Sequence, residues 1–167
     1  MRRIGCRVVK LAATSIFLAC TSFASADPCI GKGTILLVEA RSHVLSLCEG
    51  GRRVRSHRVA IGPAGVGKRR EGDGKVPLGR YTLAAPVASK DYHLFMLIGY
   101  PTREQRRAGY TGSAVGVHGP PRCCVDPTST DTDWTLGCIA VGTDEDIESI
   151  AAWRRRRGVA EILIEPN

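Results

Sequence analysis

The chain of 167 residues has no apolar run long enough to cross a bilayer. Its longest uncharged apolar stretch, Leu11 to Phe23, is thirteen residues, against the roughly 18 that a spanning helix requires. A retained membrane anchor is therefore not expected. Aromatic residues make up only 5% of the sequence and are not interleaved with its basic runs; the stacking stripe of a nucleic-acid binder is missing. No pair of cysteines has Cys-x-x-Cys spacing, so no closed zinc pattern is present. The first 26 residues hold no acidic side chain, although four there are basic.

That last imbalance has a meaning of its own. Arg2, Arg3, Arg7 and Lys10 precede the short apolar run, and Ala24-Ser25-Ala26 follows it. Together they form the positive, apolar and small-residue zones of a secretory signal peptide. The sequence predicts cleavage after Ala26, a mature domain over 27–167, and a periplasmic location. Phe17 fits the lipoprotein variant at Leu18-Ala19-Cys20 poorly. Removing residues 1–26 lowers the net charge from +8 to +4, a modest bias. Arg154 to Arg157 form the densest basic run and lie at an expected helix C-terminus, where cations suit the helix dipole.

Cys29, Cys48, Cys123, Cys124 and Cys138 remain of the seven encoded cysteines. Five is odd, and an odd cysteine in an exported protein points to a reactive thiol. The economical partition is two disulfides and one thiol. Cys29 precedes the first expected strand and Cys48 ends the second, so a bridge between them would staple that hairpin. The partners of Cys123 and Cys124 are not fixed by sequence.

About 140 mature residues suffice for one domain with one core. Thr34–Ala40, His43–Cys48, Val54–Ile61, Arg80–Ala84 and His93–Ile98 read as strands separated by Gly- and charge-rich loops. Thr102 is expected to cap a short helix stopped at Gly109. Ala114–His118 and Cys138–Val141 are two further strands. Thr143 caps a longer helix, with Ile147, Ile150 and Ala151 on its buried face, and Gly158 ends it. Val159–Ile164 is the last strand. The expected class is α+β and β-rich.

The segment from Val115 to Val141 is a long Pro-, Ser-, Thr- and Asp-rich loop hung between two strand ends. It carries His118-Gly119 at one end and Gly137-Cys138 at the other. A thiol beside an imidazole is the minimum apparatus for nucleophilic acyl transfer. In this reading Cys138 is the nucleophile and His118 the general base, with the thiolate as the resting form. The backbone at Gly137 offers an oxyanion hole, Gly119 and its neighbouring carbonyls fix the imidazole tautomer, and Thr135 donates to substrate. His43 and His57 read as surface groups, and His93 as a packing residue. Two other readings compete: a zinc hydrolase using His118, Cys123 or Cys124, and Cys138, and a non-catalytic wall-binding module.

Three blocks resemble the L,D-transpeptidase catalytic (YkuD-type) family. They are Gly67–Tyr81 (GKRREGDGKVPLGRY), Tyr92–Pro101 (YHLFMLIGYP), and His118-Gly119 followed by Thr135–Ala140 (TLGCIA). The resemblance implies a β-sandwich or barrel-like sheet with a capping helix near the C-terminus. It also implies an acyl-enzyme on Cys138 formed from peptidoglycan stem peptides, trapping by carbapenems, and no metal or other cofactor. Leu136 stands where family members often have a second histidine, and Ala140 where Arg or Asn is common. A subgroup with Gly-Cys-x-Ala shares these features, and in it the chemistry extends to hydrolysis or to attachment of an envelope protein. Neither nucleic acid nor an obligate second copy is expected as partner.

Overall fold

A computed structural model describes residues 26–123 and 130–167. Residues 1–25 of the expected signal segment and Cys124 lie outside the described residues. Among the described residues nine strands form one curled sheet in the order β4-β9-β1-β2-β3-β8-β7-β6-β5. They are β1 (Ile35–Glu39), β2 (Val44–Glu49), β3 (Arg52–Ala60), β4 (Gly79–Thr82), β5 (Val87–Ser89), β6 (His93–Leu97), β7 (Gly116–His118), β8 (Ile139–Val141) and β9 (Glu161–Glu165). Among the described residues two helices complete the fold: α1 (Arg103–Arg107) and α2 (Asp144–Arg157). The β1–β9 and β7–β8 pairs are parallel, and the other neighbours run antiparallel.

β1 shows why the sequence folds this way. Its run Ile-Leu-Leu-Val is apolar at every position, which suits a strand covered on both faces. Leu36 and Val38 enter the main core, whereas Ile35 and Leu37 join Cys29 and Cys48 in a small second cluster on the opposite face. The Cys29–Cys48 disulfide closes that cluster, as the hairpin argument expected. On the main-core side, α2 lays Ile147, Ile150, Ala151 and Trp153 against the sheet. Each of the two isoleucines contributes about 1.5–3 kcal/mol by leaving water.

The helix limits follow their caps. Thr102 and Gln105 form a reciprocal capping box at α1. Thr143 Oγ1 accepts from Asp146 N at 3.1 Å at the start of α2. Gly158 ends α2 in the left-handed region at φ 63°. Strand β5 was not expected; it is three residues after a proline, too short to show a period.

Two histidines depart from the surface role expected of them. His57 is buried, with Nδ1 2.8 Å from Asp146 Oδ1 at the head of α2. His43 pairs through Nε2 with Asp133 at 3.0 Å. Both face acids brought close by tertiary packing, 89 and 90 residues away in sequence. His93 reaches Glu148 Oε1 at 2.7 Å and so ties β6 to α2.

Candidate active site

The parallel pairing of β7 with β8 brings the two ends of the long loop together. Val117 is level with Ile139 and His118 with Ala140. Continuing that register sets Gly116 beside Cys138, and strand alternation puts His118 and Cys138 on one face of the sheet. Both line a cavity of about 490 Å³, with Lys68, Tyr92, Phe95, Trp134 and Leu136 among its walls.

His118 is fully enclosed, at 1% exposure. Its Nδ1 lies 2.7 Å from the Gly119 carbonyl oxygen. A carbonyl can only accept, so the ring proton sits on Nδ1 and the Nε2 lone pair is left for a proton from elsewhere. Three rings box the imidazole: Tyr92 at 4.0 Å, Phe95 at 5.9 Å with its plane nearly parallel, and Trp134 at 5.8 Å edge-on. Gly116 makes room for the second of these. A Cβ there would come within 2.5 Å of the Phe95 ring and of the Met96 carbonyl oxygen. Gly119 is equally constrained, since a Cβ would meet Tyr92 O at 2.6 Å and Ile147 at 3.0 Å. Burial pushes the His118 pKa down to about 4, against a smaller upward pull from the Gly119 carbonyl.

Cys138 sits half-buried on the turn before β8, with Sγ 3.6 Å from the Ala114 carbonyl oxygen. Burial pushes its thiol pKa up; a backbone contact from Gly116 and the charge of Lys68 oppose that shift. Both shifts run against the expected resting thiolate, because the same enclosure disfavours both charged forms of the pair.

The backbone at the turn also differs from expectation. The Gly137 N–H donates to Thr135 Oγ1 at 3.1 Å, and the Thr135 hydroxyl donates to Cys138 O at 2.8 Å. The Gly119 N–H is directed to Leu94 O at 3.3 Å. Gly137, Thr135 and Gly119 therefore act inward, holding Cys138 and His118 in place, with these donors engaged within the protein. The returning limb of the loop is clamped by Asp133 Oδ1, which accepts from Ile61 N at 2.9 Å, and by Thr135 N, which donates to Ile61 O at 3.1 Å.

Lys68 and Asp73 were not singled out from the sequence. The Lys68 side chain is 3% exposed, and its Nζ donates to Asp73 Oδ1 at 2.9 Å and to Leu136 O at 3.1 Å. Asp73 also accepts from the backbone N–H groups of Arg69, Arg70 and Lys75. Burial alone would raise its pKa, but these donors outweigh it and hold the carboxyl well below the usual range. A charged residue flanked by Gly67 and the Glu71-Gly72-Asp73 turn was the available signal. The aromatic box had one too, because three of only nine aromatic residues surround His118. Among the described residues no three metal-ligating side chains converge.

Residues 33–162 match the profile of the L,D-transpeptidase catalytic domain, YkuD. The chain belongs to that family. Among solved structures it is similar to the helical cell shape determining protein Pgp2 of Campylobacter jejuni, at 25% identity and a TM-score of 0.63 over 80% of this chain. It is also similar in fold to Bd1075 of Bdellovibrio bacteriovorus, at 23% identity and a TM-score of 0.57 over 78% of this chain. The chain spans about half the length of each, 47% in both cases. Comparison with curated protein sequences gives no match. This YkuD domain thus has the β-rich fold with a capping helix near the C-terminus that its motifs imply.

Proposed function

We propose that this protein is an exported cysteine acyltransferase of the cell wall that forms a thioester between Cys138 and a carbonyl of a peptidoglycan stem peptide. The observation that carries the reading is the Cys138–His118 juxtaposition on one sheet face, with the imidazole held in a single tautomer by Gly119 O. Family membership supports the substrate class. Similarity to a protein described as determining helical cell shape favours wall remodelling as the context. The periplasmic location rests on the composition of residues 1–26.

In the first half-reaction the Cys138 S–H proton passes to His118 Nε2 as sulfur attacks the carbonyl carbon. The imidazolium then protonates the departing amine as the C–N bond breaks. With both charged forms disfavoured, proton transfer accompanies attack instead of preceding it. In the second half-reaction an amine or water attacks the thioester, His118 takes the proton from the attacking group, and the thiol is regenerated. Donor and acceptor identity, including an envelope protein as either, is decided by what enters the cavity at each step.

Incubation with purified muropeptides and mass analysis of the products tests this directly. A cross-linked dimer means transpeptidation, and a shortened monomer means hydrolysis by the same thioester. In parallel, a carbapenem should add covalently to the native protein and not to Cys138→Ala, with His118→Ala acylating roughly 10²–10⁴-fold more slowly. An adduct retained by Cys138→Ala would remove Cys138 from the mechanism.

A further inference from the structure

We infer that Lys68, locked between Asp73 and the Leu136 carbonyl, is the positioning residue of this site: it fixes the backbone that presents Cys138 and supplies the positive charge that favours thiolate formation beside it. The inference rests on the proposed thiol chemistry and extends it to a residue outside the Cys–His pair.

The geometry comes first. Lys68 lies on the loop entered through the Val66–Val76 bridge, where Gly67 N and Lys68 N both donate to Val76 O. Its own carbonyl accepts from the Tyr100 hydroxyl at 3.2 Å. The residue is therefore held at its backbone before its side chain makes any contact. From there Nζ reaches across 68 residues of sequence to Leu136 O. That carbonyl belongs to the peptide joining Leu136 to Gly137, the residue immediately before the nucleophile. Gly137 has φ 124°, closed to ordinary side chains, and a Cβ there would meet the Lys75 carbonyl oxygen and lie 3.2 Å from Lys68 Nζ. The Cys138 turn thus has its orientation set by Lys68 on one side and by the Thr135 hydroxyl on the other.

Charge is the second part. An ammonium has three donors, and two are taken here, by Asp73 Oδ1 and Leu136 O. Lys68 also lines the same cavity as Cys138. A thiol raised by burial and an imidazole lowered by burial make a poor resting ion pair. A buried cation alongside lowers the cost of the thiolate when its proton moves to His118 Nε2. Asp73 tempers that cation, and its own full set of N–H donors keeps it ionised, so the balance of the two charges sets the field at sulfur.

The test is the pH dependence of iodoacetamide alkylation at Cys138, followed by mass spectrometry of the peptide containing it. Lys68→Gln keeps a donor for Leu136 O and removes the charge. It should raise the apparent thiol pKa by roughly one unit and slow alkylation at neutral pH about tenfold. Asp73→Asn leaves the cation and removes its counter-charge, so it should move the pKa the opposite way. General loosening of the site would shift both variants in the same direction, and that result, or no shift in either, overturns the inference. Should Lys68→Gln fail to fold, Asp73→Asn decides alone: a fall supports the inference, and a rise or no change refutes it. Muropeptide turnover by the native protein is read separately. Its absence alongside opposite pKa shifts would sink the proposed function and leave the electrostatic role of Lys68 standing.

Discussion

On one side of the curled sheet β4, β9, β1, β2 and β3 reach up to nine residues, bury aliphatic side chains, and carry the Cys29–Cys48 bridge. On the other side β8, β7, β6 and β5 are three to five residues long and hold the aromatic box, the thiol and the imidazole. The first half is held by ladder hydrogen bonds and apolar burial. In the second, Thr135, Asp133, Lys68 and Asp73 substitute side-chain bonds for missing ladder. Met96, Val117, Ile139 and Val141 share the main core, but the reactive half, with its shorter ladders, depends in addition on individual side-chain hydrogen bonds. If so, damage to the first half should lower stability and spare the chemistry of folded molecules. Damage to the second should do the reverse.

Removing the disulfide is the strongest way to break that contrast. A bridge between residues 19 apart in sequence is worth about 3 kcal/mol by loop-closure entropy. The Cys29→Ala, Cys48→Ala double variant should lose about that much in chemical denaturation. Its Cys138 acylation rate per folded molecule should stay within twofold of native. A large drop in that rate would mean the two halves are coupled. Next comes Gly137→Ala, which places a methyl group against Lys75 O at a φ of 124°. Displacing the turn by even about 1 Å should cost roughly 10²-fold in acylation rate, a larger relative effect than on the denaturation midpoint. Carbapenem acylation followed by intact mass reads the first quantity and circular dichroism the second.

The same division decides what was legible in the sequence. Strand β1, the Cys29–Cys48 bridge and α2 with its Thr143 and Gly158 caps follow from local pattern, and the structure has them where that pattern puts them. The family and its β-rich fold follow from the three motif blocks. What the sequence concealed depends on long-range approach. Nothing local says that Lys68 reaches Leu136, that His57 meets Asp146, or that Tyr92, Phe95 and Trp134 enclose His118. The charge balance was hidden for the same reason: a neighbouring imidazole was expected to draw out the thiolate, but enclosure works against both charged forms.

Acid sensitivity offers a smaller and sharper probe of that enclosure. His118 has a pKa lowered from 6.5 to about 4 in the folded state, so the unfolded chain binds its proton first as pH falls. The contribution of neutral His118 is fully present above pH 6.5 and is lost as pH drops toward 4. By about pH 5 the loss should reach roughly 2 kcal/mol. A His118→Gln variant should lack that part of the acid slope in urea titrations between these limits. An identical slope in native protein and variant would show that the imidazole is not shielded from water as the aromatic box implies.

The smallest effect on stability, and the most specific to substrate, belongs to Leu136. Its side chain is 78% exposed, yet it sits on the cavity rim two residues before the nucleophile. Only its backbone is engaged, through the carbonyl that accepts from Lys68 Nζ, and truncating the side chain leaves that bond intact. Leu136→Ala should therefore change unfolding free energy by less than about 0.5 kcal/mol. An exposed leucine costs little to remove from a protein in water, but it is an apolar contact for whatever occupies the cleft. Covering it with a bound stem peptide should contribute about 1 kcal/mol to association. KM should rise roughly fivefold in the variant, with kcat unchanged, because the contact is made equally in the ground state and the transition state. A fall in kcat would mean instead that the side chain orients the scissile carbonyl. Unchanged steady-state constants would mean the substrate approaches Cys138 from the Tyr92 side of the cavity and never crosses the Leu136 rim.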